Sequence, residues 1–307
     1  MNELFSSETD IERKAQTVNG VSFFKMSDPL SENNGTLQLL DGGTGINFEQ
    51  LFGDFFETDA EMMKKFRRST LDNVIKNFYH EEKLNEEEKE LHRLIKFKLL
   101  EKCGMMEYAP GCFPPGILLG ASWNTDAVYR VGLALGTEAL VFGVDILLGT
   151  PNINIHRDPL AGRLFEGYSE DPYLVSALAP SLVKGIQEKG VAANVKHFAC
   201  NNQETNRVGI NEIISVRALE EIYLPGFRAC MTKGNARTIM SAYNSINGVP
   251  CTQNSYLLTQ KLRNEWNSDA AVISDWNAVS DQIASLKAGN DLKMPGPSDT
   301  SAADGDT

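Results

Sequence analysis

The sequence predicts an α/β fold, specifically a (β/α)8 TIM-barrel-like domain, on three observations. Short apolar runs alternate with amphipathic helical patterns from Leu37 onward, as in a parallel sheet flanked by helices. The runs end in polar, chemistry-bearing side chains, as barrel strands do where their loops converge. A doubly wound open sheet would alternate in the same way, but no glycine-rich dinucleotide fingerprint or P-loop follows the first strand.

The elements follow in order. Residues 37–40 are an apolar strand closed by Asp41 and a glycine turn. Residues 58–102 are Lys/Glu-rich, with Leu91, Leu94, Ile95 and Leu99 on one stripe, and predict two surface helices inserted between early strands. Residues 111–115 are loop, and residues 117–119 count as a short strand. Residues 144–148 form the next strand. Asp171-Pro172 opens a helix, with Asp as cap and Pro at its first position, and Leu174, Leu178, Leu182 and Ile186 recur along one face. Residues 191–198 are a strand, and 210–214 a weaker one. Residues 217–233 are a helix bent at Pro225. Residues 238–243 are a strand, and Leu258, Leu262 and Trp266 give the next helix its buried face. Residues 270–275 are small and β-branched, apolar on both faces, and read as a buried parallel strand. A helix over 276–287 and a last strand over 290–294 bring the count to that of a barrel. The domain is expected to fill residues 1–297, with 298–307 a disordered polar tail. No closing helix follows, so the barrel is expected to be incomplete at its C-terminal end.

A formal charge of −12 argues against nucleic acid and anionic membrane surfaces as partners. The five cysteines form no CxxC pair and read as reduced thiols. No basic-then-apolar leader and no run of membrane-spanning length is visible, so a cytoplasmic location is expected. The four histidines suggest no metal cluster, and neither a metal nor a cofactor is expected.

Chemistry concentrates at the strand ends. Asp275 ends a buried strand beside Trp276; a carboxylate next to a flat ring suits attack at a sugar C1, although Asp275 could instead cap the helix that follows. Asp41 could accept from two adjacent sugar hydroxyls, or merely sit in an Asp-Gly turn. Arg163 could donate to sugar oxygens, or only brace its loop through Glu166. Lys196 and His197 are adjacent donors; both can face one mouth only if the strand ends or twists there. The polar loop 201–207 favours function over a buried structural pair. Tyr243 could hydrogen-bond a carboxylate and hold it ionised, or be a rim tyrosine.

Taken together, these strings resemble the N-terminal barrel domain of glycoside hydrolase family 3, in its β-glucosidase/β-xylosidase branch. The carrying strings are Ser122-Trp123-Asn124, Pro151-Asn152-Ile153-Asn154-Ile155-His156-Arg157, Gly162-Arg163-Leu164-Phe165-Glu166, Val195-Lys196-His197-Phe198, Asn201-Asn202-Gln203-Glu204-Thr205-Asn206-Arg207, Ser241-Ala242-Tyr243-Asn244 and Ser274-Asp275-Trp276. The resemblance implies retaining hydrolysis of terminal non-reducing β-D-glucosyl or related residues, with Asp275 as nucleophile. It implies Asp41, Arg163, Lys196, His197, Arg207 and Tyr243 as the grip on the sugar, Trp276 as an aromatic neighbour, and a β-linked glucoside or related oligosaccharide as partner. In this branch the general acid/base Glu comes from a second α/β domain, which is expected to be missing here. The family's Asp-Gly-Pro-His-Gly-Val/Ile-Arg is replaced by Asp41-Gly42-Gly43-Thr44-Gly45-Ile46-Asn47, which lacks its His and Arg. Val216-Arg217 stands for the usual Glu-Arg, and Asn277 for a common Gly. The alternatives are a non-catalytic sugar-binding protein and an inactive, truncated or incompletely folded homologue.

Overall fold

The computed structural model describes residues 18–28, 35–104 and 110–296. The outer bounds of the expected domain and the polar tail 298–307 lie outside these residues. The strands are β1 (Lys25–Ser27), β2 (Thr36–Asp41), β3 (Ile146–Leu148), β4 (Ala192–Phe198), β5 (Asn211–Glu212), β6 (Thr238–Ser241), β7 (Ser245–Ile246), β8 (Val249–Pro250) and β9 (Ala271–Ser274).

A six-stranded sheet runs β1-β2-β3-β4-β6-β9. Strands β2, β3, β4, β6 and β9 are parallel to their neighbours, and β1 is antiparallel to β2. The hydrogen bonding then continues past β9. Ile273 bridges Leu292, Lys293 bridges Asn19, and Gly20 bridges Met26 of β1. The Ser274 N–H donates to Leu292 O, Lys293 N–H to Val18 O and Gly20 N–H to Lys293 O. The sheet is thereby a closed ring, and closure removes exposed strand edges.

Alternation along the strands builds two apolar layers. Leu39, Ile146, Leu148, Met240, Ile273, Leu292 and Met294 pack together inside the ring. Their sequence neighbours Leu40, Leu147, Ile239 and Val272 point outward, into the larger core shared with the helices. This period of two, apolar on both faces, is the reason the strands read as continuous hydrophobic runs.

Several expectations are corrected. Gly116–Ser122 is a helix, not a strand. Gly116, Leu119 and Gly120 form its buried face. A Cβ on Gly116 or Gly120 would stand 2.0 Å from the carbonyl of Glu166 or Tyr168, so both must be glycine for the helix to lie against that loop. Three apolar residues alone do not separate helix from strand. Residues 210–214 contribute only β5, in a small separate sheet β5-β7-β8. The ring instead gains β1 and the segment around Asn19.

The 58–102 stretch carries the helices Ala60–Lys65, Arg68–Lys76 and Glu86–Cys103. They are not merely superficial. Leu71, Val74, Leu91, Ile95 and Leu99 join the main core, against Phe52, Phe55 and Phe56 of the preceding helix Phe48–Glu57. Asn85 and Glu88 cap the longest of them reciprocally. The stretch around Pro225 reads as a π-type turn, Leu219–Tyr223, in which the Leu224 N–H reaches back to Leu219 O before the helix Pro225–Thr232 restarts. That wider turn accommodates the proline ring. No helix among the described residues is long and apolar enough to cross a membrane.

Candidate active site

The carboxyl ends of the parallel strands open on a cleft of ≈ 430 Å³ lined by Phe23, Phe24, Asp41, Gln50, Arg163, Lys196, His197, Arg207, Met240, Tyr243, Asp275 and Trp276. All eight residues singled out from the sequence lie on its wall. Asp41 ends β2, and Lys196 and His197 end β4. Asp275 follows β9, while Arg163, Arg207, Tyr243 and Trp276 come from the loops beyond the strands.

Asp275 is not a helix cap. Residues 276–281 are not helical, and the next helix, Gln282–Ala288, is capped by Asp281, whose Oδ1 accepts from the Ala284 N–H at 2.9 Å. Asp275 is 7% exposed. Its Oδ1 accepts the Trp276 N–H at 2.8 Å. Its Oδ2 meets no donor at full hydrogen-bond geometry among the described residues; His197 Nε2 stands 3.7 Å away, and the Tyr243 phenol lies close enough to hydrogen-bond the carboxyl weakly. Burial raises the carboxyl above its ordinary range, against the pull of Lys196, the Trp276 N–H, Arg163 and Arg207.

Lys196 and His197 share the cleft because the pairing of β4 with β6 slips between Val195 and Phe198. A bulge of this kind re-aims side chains that a regular strand would send to opposite faces. Lys196 Nζ donates to Asp41 Oδ1 at 3.1 Å, and Gln50 Nε2 donates to Asp41 Oδ2 at 2.9 Å. Burial works against the Asp41 charge, but Lys196 and Gln50 outweigh it and hold the carboxyl below its usual range. Gly149 makes room for this pair. Its φ is +82°, and a Cβ there would stand 2.5 Å from Lys196 Nζ and 2.9 Å from Asp41 Oδ1.

His197 is fixed at its backbone by Asn154, which accepts from His197 N–H at 2.8 Å and donates to His197 O at 3.0 Å. Burial, then Arg163, Lys196 and Arg207, hold the imidazole well below its ordinary pKa, so it is neutral. Arg163 braces its loop and also lies on the cleft wall. It forms a bidentate pair with Glu166 at 2.6 and 2.7 Å, and its Nη1 reaches His197 Nε2 at 3.2 Å. The Arg207 guanidinium lies 4.8 Å from the Tyr243 ring centroid and is held by Glu204 at 2.9 Å. Burial, followed by the charge of Asp275, pushes the Tyr243 phenol up to about 12. The Trp276 indole donates to Phe23 O at 2.9 Å and lies 5.6 Å from the Phe24 ring.

Gln50, Phe23, Phe24 and Asn154 were not singled out from the sequence. Gln50 carries one signal: it lies in the first turn of a helix capped by Asn47, and that cap brings it back to Asp41. A second cavity of ≈ 480 Å³ adjoins the cleft across Asp41, Arg163 and Lys196, along Gly42, Gly43, Thr44 and Gly45. It opens beside the loop that lacks the family's His and Arg.

A closed ring of mostly parallel strands, with a cationic and aromatic cleft at their carboxyl ends and a buried carboxylate with one oxygen unpaired, defines a carbohydrate-active barrel. Residues 83–304 match the glycosyl hydrolase family 3 N-terminal domain, and the chain belongs to that family. It is 50% identical over 184 residues to the thermostable beta-glucosidase B of Acetivibrio thermocellus, covering 60% of this chain and 24% of that one. It is equally identical, over the same shares, to an exo-alpha-(1->6)-L-arabinopyranosidase of Bifidobacterium longum. The beta-glucosidase 3B of Thermotoga neapolitana in complex with glucose superposes with a TM-score of 0.72 at 35% identity, over 94% of this chain and 35% of that one. The chain thus spans 24% of the length of those two relatives and 35% of that solved structure.

Proposed function

We propose that this chain carries the nucleophile and the glycone pocket of a retaining, exo-acting β-glucosidase. The observation that carries this reading is Asp275: buried, unpaired at Oδ2, and facing a cleft whose other walls are Lys196, Arg163, Arg207, Tyr243 and Trp276. Asp275 Oδ2 attacks C1 of the terminal sugar; the new C1–O bond forms as the C1–O bond to the leaving group breaks. Water then attacks C1 and releases the sugar and the Asp275 carboxylate. Arg163, Lys196 and Arg207 draw the carboxyl toward its charged form. Asp41, ionised and tied to Lys196 and Gln50, accepts from sugar hydroxyls. Trp276 and Phe24 offer apolar faces to the ring.

Asp41 and Asp275 are the cleft's carboxyl groups among the described residues. Asp41 is held ionised and does not donate a proton at neutral pH. The resemblance to the family implies that the general acid/base Glu comes from a further domain, and that is the source proposed here. Such acid assistance is worth about 10²–10⁴ in rate, most where the leaving group is a sugar alkoxide. The phenolate of an aryl glycoside or the fluoride of a glycosyl fluoride leaves without it, so these substrates are expected still to transfer their glycosyl group to Asp275.

The test is incubation with a 2-fluoro-β-D-glucoside bearing an acidic leaving group, in parallel with the corresponding α-L-arabinopyranoside, followed by peptide mass spectrometry. Label on Asp275 is the expected result. Faster labelling by the arabinoside would move the glycone to the second relative's sugar. Folded protein that binds glucose yet carries no label would leave a sugar-binding protein in place of an enzyme.

A further inference from the structure

Behind His197 lies a smaller cavity, ≈ 20 Å³, with His156, His197, Asn201 and Asn202 on its wall. Each of these four carries a buried polar atom without a hydrogen-bond partner among the described residues: His156 Nε2, His197 Nδ1, Asn201 Oδ1 and Asn202 Oδ1. His197 is 2% and Asn201 7% exposed. A buried polar group left unpaired is costly, and four residues that each carry one line the same void, which calls for a shared partner. A void holds a water when it offers roughly 10–15 Å³ and two to four polar neighbours. This one meets both conditions.

Chemistry fixes the direction of the bonds. Arg163 Nη1 meets His197 Nε2 at 3.2 Å, and a guanidinium only donates. Nε2 is therefore the acceptor. The neutral ring then carries its proton on Nδ1, the edge without a protein partner.

We propose that this cavity binds one structural water, which accepts hydrogen bonds from His197 Nδ1–H and His156 Nε2–H and donates to Asn201 Oδ1 and Asn202 Oδ1. The count closes: a water accepts two hydrogen bonds and donates two. The water holds His197 in the Nδ1–H tautomer. Its Nε2 lone pair is thus kept for Arg163, and no imidazole proton points at Asp275 Oδ2, 3.7 Å away. Asn201 and Asn202 are positioning residues that act through His197 on Arg163. The inference does not depend on Asp275 being a nucleophile.

The chain has four histidines, which makes the experiment tractable. Long-range proton–nitrogen correlation spectra of the folded chain, with the His197 signals assigned by their loss in His197→Asn, report the tautomer directly. The expected result is a protonated Nδ1, a pyridine-type Nε2 and a cross-peak from the Nδ1 proton to water. A proton on Nε2, an imidazolium, or an Nδ1 proton with no water contact would overturn the proposal. Asn201→Leu removes one acceptor and should turn the single tautomer into an exchanging mixture. An unchanged spectrum in folded Asn201→Leu would also count against it, and the wild-type spectrum decides the matter if that variant does not fold.

Discussion

Lys196 Nζ and Asp41 Oδ1 lie 3.1 Å apart although 155 positions separate them in sequence. The contact joins the end of β2 to the end of β4 across β3, so it exists only when the ring is assembled. The two ends of the pair are unequal. The Lys196 side chain is 6% exposed and the Asp41 side chain 40%. Removing the carboxylate therefore costs more than removing the ammonium, because it strands the buried charge. Asp41→Asn is expected to lower stability by about 2 kcal/mol, and Lys196→Met by less. Urea denaturation of the two variants checks the order. Since the Asp41 carboxyl is held below its ordinary 3.8, the stability it contributes is complete above that pH and is lost as pH falls through the folded value.

Histidine 197 gives a pH dependence of a different origin. Burial and the charges of Arg163, Lys196 and Arg207 keep its ring neutral in the fold, while in the unfolded chain it titrates near 6.5. Below that pH the unfolded state binds a proton that the folded state refuses. Stability therefore falls as pH drops from 7.5 to 5.5, by about 1.4 kcal/mol per pH unit for each such proton once the unfolded ring is fully titrated. His92, 1% exposed and held below its ordinary value by burial, contributes in the same direction. In His197→Asn the slope should shrink while the His92 share remains. Denaturant midpoints at the two pH values read this; an unaltered slope would place the proton elsewhere.

Much of this was legible in the sequence, and the limits are physical. Leu39 and Leu40, or Val272 and Ile273, reveal a strand buried on both faces, because alternation puts one inside the ring and one under the helices. The cleft was legible because its polar residues end those strands. Three things were not. Gly116–Ser122 has three apolar residues in a row, and only the backbone of the 166–168 loop, which its two glycines approach, makes it helical. The closing segment around Asn19 pairs through single-residue bridges, too short to leave a period, whereas its partner around Leu292 falls in the last strand expected over 290–294. Asn154 acts on the site through His197 by contacts that no local pattern encodes, and Gln50 reaches Asp41 with only the Asn47 cap as its signal.

Gly149 separates two costs that usually arrive together. Its positive φ disfavours any side chain by about 1 kcal/mol, and a methyl group would also press on Lys196 Nζ and Asp41 Oδ1. Gly248 has a similar φ, +87°, and nothing within 4 Å of its Cβ position. Gly248→Ala should therefore lose only the conformational part, with glucose affinity unchanged. Gly149→Ala should lose more stability and weaken glucose binding at least tenfold, by displacing the ion pair. Calorimetric titration with glucose and thermal melts of both variants make the comparison. Equal affinity in the two would remove the pair from the binding site.

Asp275 joins stability to chemistry with opposite signs. Its carboxyl is buried, Oδ2 is unpaired, and burial raises it above the ordinary range, so ionisation costs the folded state energy. Asp275→Asn keeps the shape and the Oδ1 acceptor for the Trp276 N–H but removes the charge. The variant should be more stable than the wild type at pH 7, by about 1 kcal/mol, as when a site strained for function is relaxed. A raised carboxyl takes up its proton in the fold first, so the wild type loses stability as pH rises through the folded value. The gap between the two proteins is then full at pH 7 and closes as pH falls below the ordinary 3.8. Labelling by the 2-fluoro-glucoside should vanish in the same variant. A stabilised, glucose-binding, unlabelled Asp275→Asn is the combination that a nucleophile predicts. A purely structural Asp275 would give the reverse: a destabilised variant whose loss of labelling follows its loss of fold.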